Sequence, residues 1–429
     1  MSKNDVAWEE LFKRHGILEN IEKNGFHQIS ATQINALREA RLMTKFDHKI
    51  QLPTIFQENS LTIQPNSRGT YVIGRFTSYQ DLPDNPSLPI EILPFPDNIE
   101  TISPDNLFSE SIALLCAHNS GMIADLLGEE SSLTVLGRMS TGRFSYSIND
   151  IKSGQRHSIS VENSQCEIDS GFEGPKRFAL IEAKNEGVDD FLIRQLYYPY
   201  RLWKPQVTKE VLPIFLSISD SVFSFYIYRF TDETHYNSIE LVSHRKYQIG
   251  TTDIELEDIV KTLNSTAILS EPKGIPFPQS DSFNRVIDLL AQLHAAQSLS
   301  QEDITTNHAF DTRQTQYYTN AGAYLGLIER KQSKEHGVTY SLTEKGSKIM
   351  SKKLRARNLS LVQTVLEHGV FNQSLRLYMQ QVTRPSRDQI EAIMRDANLE
   401  RLGKEGSTIP RRAQTVLAWI DWIIGLTNR

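Results

Sequence analysis

Apolar positions along this chain change period several times, and each change marks a new kind of element. Residues 1–50 predict two or three short helices: over WEELFKRHGILENIEKNGF (8–26) apolar positions recur at helical spacing, with Gly16 and Gly25 as stops. ISATQINALREARLM (29–43) predicts a further helix, with Ser30 as its N-cap. GTYVIG (Gly69–Gly74) predicts a strand, and the proline-rich stretch 81–106 a long connecting loop. A single helix fits 107–128, ending at Gly128. Strands are expected at Ser132–Leu136, Phe144–Ile148 and His157–Val161. Gln165–Lys184 (QCEIDSGFEGPKRFALIEAK) reads as two strands joined by a tight turn. A helix at Val188–Leu196 and strands at Val211–Ile218 and Val222–Phe230 follow.

EPKGIPFPQ (271–279) predicts a linker, and beyond it the texture becomes helical. Helices are expected at Phe283–Leu293, Ser300–Ile304 and across RQTQYYTNAGAYLGLI (313–328). ERKQSKEHGVTYSLT (329–343) then reads as a β-hairpin, and EKGSKIMSKKLR (344–355) as a helix. Helical spacing returns at Leu359–Leu366, Gln389–Met394 and Ser407–Ile424. The division this suggests is a helical region at 1–60, a central α/β unit at 61–266, a helix–hairpin unit at 280–356 and a helical unit at 357–429.

Composition narrows the class. Hydrophobic content of 39% and charged content of 23% over 429 residues suit a globular protein of several domains. No apolar run approaches the ~20 residues of a membrane helix. Two cysteines are too few for a disulfide framework, so a cytoplasmic setting is expected. The net charge is −6, unevenly spread: residues 281–429 hold 20 Lys and Arg against 15 Asp and Glu, net +5, which leaves −11 for residues 1–280. An acidic front and a basic last third suggest a catalytic body with a DNA-contacting module. No GxxxxGK[ST] loop, His/Cys zinc cluster or methyl-donor glycine motif is present.

Phosphodiester hydrolysis needs an attacking water, a Lewis acid and stabilisation of the charge that builds on the phosphoryl group. Residues 165–184 carry side chains for this chemistry. Strand alternation puts Glu182 and Lys184 on one face, and Asp169 closes the partner strand. Asp169 and Glu182 are candidate Mg²⁺ ligands, with the Ala183 carbonyl as a third, and Lys184 is placed to orient water or neutralise charge. Glu167 shares the parity of Asp169 and is a reserve ligand. An acid two residues before a lysine also occurs at Asp47–Lys49, Asp150–Lys152, Glu271–Lys273 and Glu329–Lys331. The apolar flank FALIEA and the Asp-terminated strand before it set Glu182 apart.

Candidate DNA contacts lie in separate segments. Arg138 and Arg143 flank a basic turn. Arg313, Gln314, Gln316, Tyr317, Tyr318 and Asn320 crowd one helix, and Arg with Gln or Asn suits guanine and adenine edges. Lys345, Lys348, Lys352, Lys353, Arg355 and Arg357 form a run without an acid, suited to phosphate. Arg411 and Arg412 open the last helix. Trp419 and Trp422 read as core.

The segments IDSGFEGPKRFALIEAK, RQLYYPYRLW, RGTYVIG and DTRQTQYYTNAGAYLGLI together resemble a type II restriction endonuclease of the PD-(D/E)XK superfamily, over roughly residues 1–425. Ile168 stands where the strict motif has proline. The resemblance implies an α/β (α+β) PD-(D/E)XK core with a mixed sheet, followed by a winged helix-turn-helix and a second helical module. It implies Mg²⁺-dependent, sequence-specific cleavage of double-stranded DNA, a cognate DNA methyltransferase as functional partner, a homodimer on palindromic sites, and no membrane. It also points to Glu110 as an acid beside the metal, against the alternative of a favourable helix-dipole contact, and to Gln195 on the following helix. The competing readings are a non-enzymatic winged-helix DNA-binding regulator and a repair or structure-specific nuclease.

Overall fold

A computed structural model of the chain describes residues 2–105, 107–250, 254–307, 312–333, 337–397 and 409–428. It is a mixed α/β protein whose largest sheet is mixed and whose C-terminal part is mainly helical.

The N-terminal unit forms as its spacing dictates. Helices Lys3–His15 and Ile17–Asn24 end at Gly16 and Gly25, both left-handed (φ 55° and 83°). Their apolar faces pack Trp8 and Phe12 edge-on against Phe56. Ser30 caps Ala31–Asn35 as expected, but the helix stops there, and a second short one, Ala40–Thr44, follows. Strands Phe26–Ser30 and Thr62–Pro65 pair with Thr70–Gly74, so this core runs through Ile73, past residue 60.

Seven strands form the main sheet: β1 (Ile90–Leu93), β2 (Ser132–Ser140), β3 (Gln165–Glu173), β4 (Arg177–Lys184), β5 (Glu210–Ser219), β6 (Val222–Phe230) and β7 (Ile239–Ile249), in the order β1-β7-β6-β5-β4-β3-β2. The β4–β5 and β7–β1 pairs are parallel and the others antiparallel. β4 is buried along almost its whole length because both faces are covered. Phe178 and Leu180 meet Leu196, Tyr197 and Tyr198 of α2 (Arg194–Trp203), while Ala179, Ile181 and Ala183 share a core with Ala113, Leu114 and Ala117 of α1 (Glu110–Asn119).

Several expectations shift. The helix expected over 107–128 breaks at Ser120 and Gly121 into α1 and Met122–Leu127. The proline-rich loop contains β1. The helix expected at Val188–Leu196 starts at Arg194, because Asp190–Leu192 is drawn into a ladder with Tyr79–Asp81.

Described residues between Ile254 and Leu426 share one apolar core. It contains α3 (Phe283–Ala296), Gln301–Asn307, α4 (Thr312–Tyr324), the hairpin Ile328–Ser333/Gly337–Leu342, α5 (Leu354–Leu366) and α6 (Ile409–Gly425). Trp419 and Trp422 lie in that core, and so does Tyr318. Residues 407 and 408, expected to begin the last helix, lie outside the described residues. Among the described residues no helix is long and apolar enough to cross a membrane.

Candidate active site

The β3–β4 ladder ends at Ser170 opposite Ile181. Beyond it the Asp169 side chain replaces the backbone: Oδ2 accepts the Ala183 N–H at 2.8 Å. β4 stays registered on β5 as far as Lys184 opposite Ser217, so the strand end is held from the other side. Glu182 and Lys184 project to the α2 face, where Glu182 Oε1 accepts from Lys184 Nζ at 2.6 Å and from Gln195 Nε2 at 2.5 Å. Gln195 Oε1 is buried with no hydrogen-bond partner among the described residues.

These groups open onto a cleft of about 1320 Å³. Its floor is the strand end, with Glu110 and Ser109 from the start of α1 and Arg194 from α2. The N-terminal unit supplies a wall that was not foreseen, with Arg41, Lys45, Asp47 and Arg68. Asp47 belongs to one of the other acid-x-lysine pairs noted above. Lys49 does pair outward, with Asp81, but Asp47 faces the site.

The electrostatics follow from crowding acids in a half-buried place. Burial lifts the Glu182 carboxyl to about 8; Lys184 opposes this and Asp169 and Glu110 reinforce it. Burial likewise raises Asp169 and Glu110, with Lys184 pulling each down. Burial would lower Lys184, but Glu182, Glu110, Asp47 and Asp169 overcome it and hold the ammonium well above its usual range. Asp47 is pulled low: the nearby cations Lys184, Lys45 and Arg194 outweigh its burial. The charged forms of Glu182, Asp169 and Glu110, disfavoured by burial and by neighbouring acids, would be favoured by an added cation.

The donor set of Asp169, Glu182, Glu110 and the Gln195 carbonyl is oxygen, which fits a hard cation such as Mg²⁺. Among the described residues no group of three or more Asp, Glu, His or Cys side chains is placed to hold a metal ion by itself. A cation here would take its remaining ligands from water and phosphate, as Mg²⁺ commonly does.

The other candidates are dispersed. Arg138 and Glu167 both line the cleft and pair at 3.3 Å, so Glu167 is engaged at the rim. Arg143 pairs with Glu162 in the separate Arg143–Asn149/Arg156–Glu162 hairpin and does not line the cleft. Gln316 is exposed on α4. Arg313, Gln314 and Tyr317 share a second cavity of about 320 Å³ with Arg411, although ninety-odd residues separate the two segments. Arg313 Nε donates to the Tyr317 hydroxyl at 2.5 Å. Arg412 is half-buried.

The basic run 345–357 does not form one free face. Lys345, Lys348 and Arg355 pair with Glu367, Glu344 and Asp258, and Arg357 is buried against Ser221. Lys352, bonded to Ser360 at 2.7 Å, and Lys353 stay exposed.

Three family models match successive parts of the chain, each described as a domain of unknown function: DUF6996 over residues 5–73, DUF6997 over 74–248 and DUF7226 over 285–428. The first boundary falls at the end of the Thr70–Gly74 strand. Comparison with curated proteins and with solved structures gave no match.

Proposed function

We propose that this protein is a Mg²⁺-dependent endonuclease that hydrolyses double-stranded DNA at specific sequences, as a type II restriction enzyme does. The observation that carries the reading is the meeting of Asp169, Glu182, Lys184 and Glu110 at one buried strand end beside a large cleft. The order α1, β2, β3, β4, α2, β5 supports a PD-(D/E)XK core, and the order α3, short helix, α4, hairpin supports a winged helix.

In this reading Asp169 and Glu182 hold the cation, with the Ala183 carbonyl as an additional ligand, and Glu110 stands beside them. Mg²⁺ supplies Lewis acidity and neutralises charge on the phosphoryl oxygens. The surrounding carboxylates favour the ammonium form of Lys184, which suits a role through hydrogen bonding and charge. Gln195 fixes the Glu182 carboxylate through its Nε2–H. The oxygen of an attacking water would bond to phosphorus as that water gives a proton to solvent, the bond to the leaving oxygen would break, and the leaving oxygen would take up a proton from solvent. Arg41, Lys45 and Arg68 line the opposite wall, suited to the backbone phosphates of a duplex. Arg313, Gln314 and Arg411 are the candidate base readers.

A protective DNA methyltransferase would be the functional partner, and a two-fold dimer would deliver two cuts to a palindrome. The test is direct. Asp169→Ala and Lys184→Ala should bind the cleavable duplex as the unmodified protein does and leave it uncut. Full cleavage by either variant removes the assignment.

A further inference from the structure

The seam between the C-terminal unit and the main sheet falls at two loops. Residues 185–189 leave β4 directly after Lys184, and residues 220–221 turn β5 into β6. Side chains from three C-terminal helices reach them. Asp288 on α3, 5% exposed, accepts through Oδ2 from the Gly187 N–H at 2.9 Å and the Ser219 hydroxyl at 2.8 Å, and through Oδ1 from the Asp220 N–H at 3.4 Å. Arg285, one turn earlier, pairs with Asp189 at 2.8 Å. Trp422 of α6 donates to Asp220 Oδ2 at 3.2 Å, and Arg357 of α5 to Ser221 Oγ at 3.0 Å.

Asp288 is the costly member of this set. Carboxylates are rarely buried, and here a second one, Glu186, is buried nearby and raises it further. Helix packing alone needs no such group. What the carboxylate adds is a directional hold on the Gly187 N–H, three residues beyond Lys184.

We propose that Asp288 is a positioning residue. By tying Gly187 to Ser219 it fixes the end of β4, so that the Lys184 ammonium stays against Glu182 when DNA is bound. Its effect on cleavage rests on the nuclease reading; its hold on the loop does not.

The test compares Asp288→Ala with Asp288→Asn in the full chain. With Asp288→Ala, single-turnover cleavage at saturating DNA should fall about 10- to 100-fold, with DNA affinity held within about twofold. Asp288→Asn keeps an oxygen that accepts from Gly187 and Ser219, and should restore the rate to within about threefold of the unmodified protein. Amide exchange at Gly187 should quicken in the alanine variant and return close to normal in the asparagine variant. An alanine variant that cuts at the normal rate, or that leaves Gly187 equally protected, overturns the proposal. If the alanine variant does not fold, Ser219→Ala takes its place: it removes one bond of the three, and an unchanged rate with unchanged Gly187 exchange overturns the proposal equally. If the unmodified protein cuts no DNA, the nuclease reading fails by itself, and exchange at Gly187 still decides whether Asp288 holds the loop.

Discussion

Replacing Glu182 by glutamine should make the metal-free protein more stable while abolishing cleavage. Burial lifts this carboxyl from 4.5 to about 8. Between those values the unfolded chain has released a proton that the folded chain keeps. Stability is therefore lost as pH rises from about 4.5 through 8, at no more than ~1.4 kcal/mol per pH unit. From pH 5 to pH 7 the loss would be at most about 3 kcal/mol, a figure that already includes the opposing pull of the Lys184 ammonium at 2.6 Å. Glu182→Gln keeps an oxygen for Lys184 Nζ and Gln195 Nε2 but has no proton to release. Urea unfolding in EDTA at pH 5, 6, 7 and 8 should show the variant's advantage widening over that range and levelling off above it. Millimolar Mg²⁺ should then stabilise the unmodified protein and not the variant. An advantage that does not change with pH would refute the reasoning, because it would mean that the carboxyl ionises as it does in water.

Other outcomes follow from the same geometry. Mg²⁺ binding must displace the proton held at Glu182, so its affinity should rise up to about tenfold per pH unit below 8 and flatten above; calorimetry in buffers of different ionisation enthalpy reads the proton release. Arg313→Ala should lose discrimination at one base pair, by ~1–3 kcal/mol, in a competition assay across site variants. Lys352→Ala should weaken all DNA alike and lower the salt slope by about one, measured by titration at several salt concentrations. Gly25→Ala should cost about 1–3 kcal/mol in a denaturation experiment, since φ is 83° and a Cβ would collide with the His157 ring.

The strand end was legible because its signals are local. FALIEA is apolar enough for a strand covered on both faces, and alternation alone places Glu182 beside Lys184. Gly16, Gly25 and Ser30 act over a few residues and were equally readable. The misses are long-range. β1 lies among prolines and forms only because β7, some 150 residues later, offers it a parallel edge. Asp190–Leu192 is a strand only because Tyr79–Asp81 lies beside it. Pro199 argues against a helix through RQLYYPYRLW, yet α2 runs through it, its buried tyrosines packed against the sheet. Asp47 shares its acid-x-lysine spacing with several other pairs in the chain, and nothing near it in sequence tells that it will face Lys184. The role of Asp288 depends on two loops that lie about 70 and 100 residues before it.

The nuclease reading meets its most direct test in incubation of the purified protein and Mg²⁺ with a long unmethylated DNA of known sequence. A reproducible set of discrete fragments, absent with Asp169→Ala and absent in EDTA, is the predicted result. Intact DNA that the protein nevertheless binds would contradict it, and a continuous smear of products would contradict its sequence specificity.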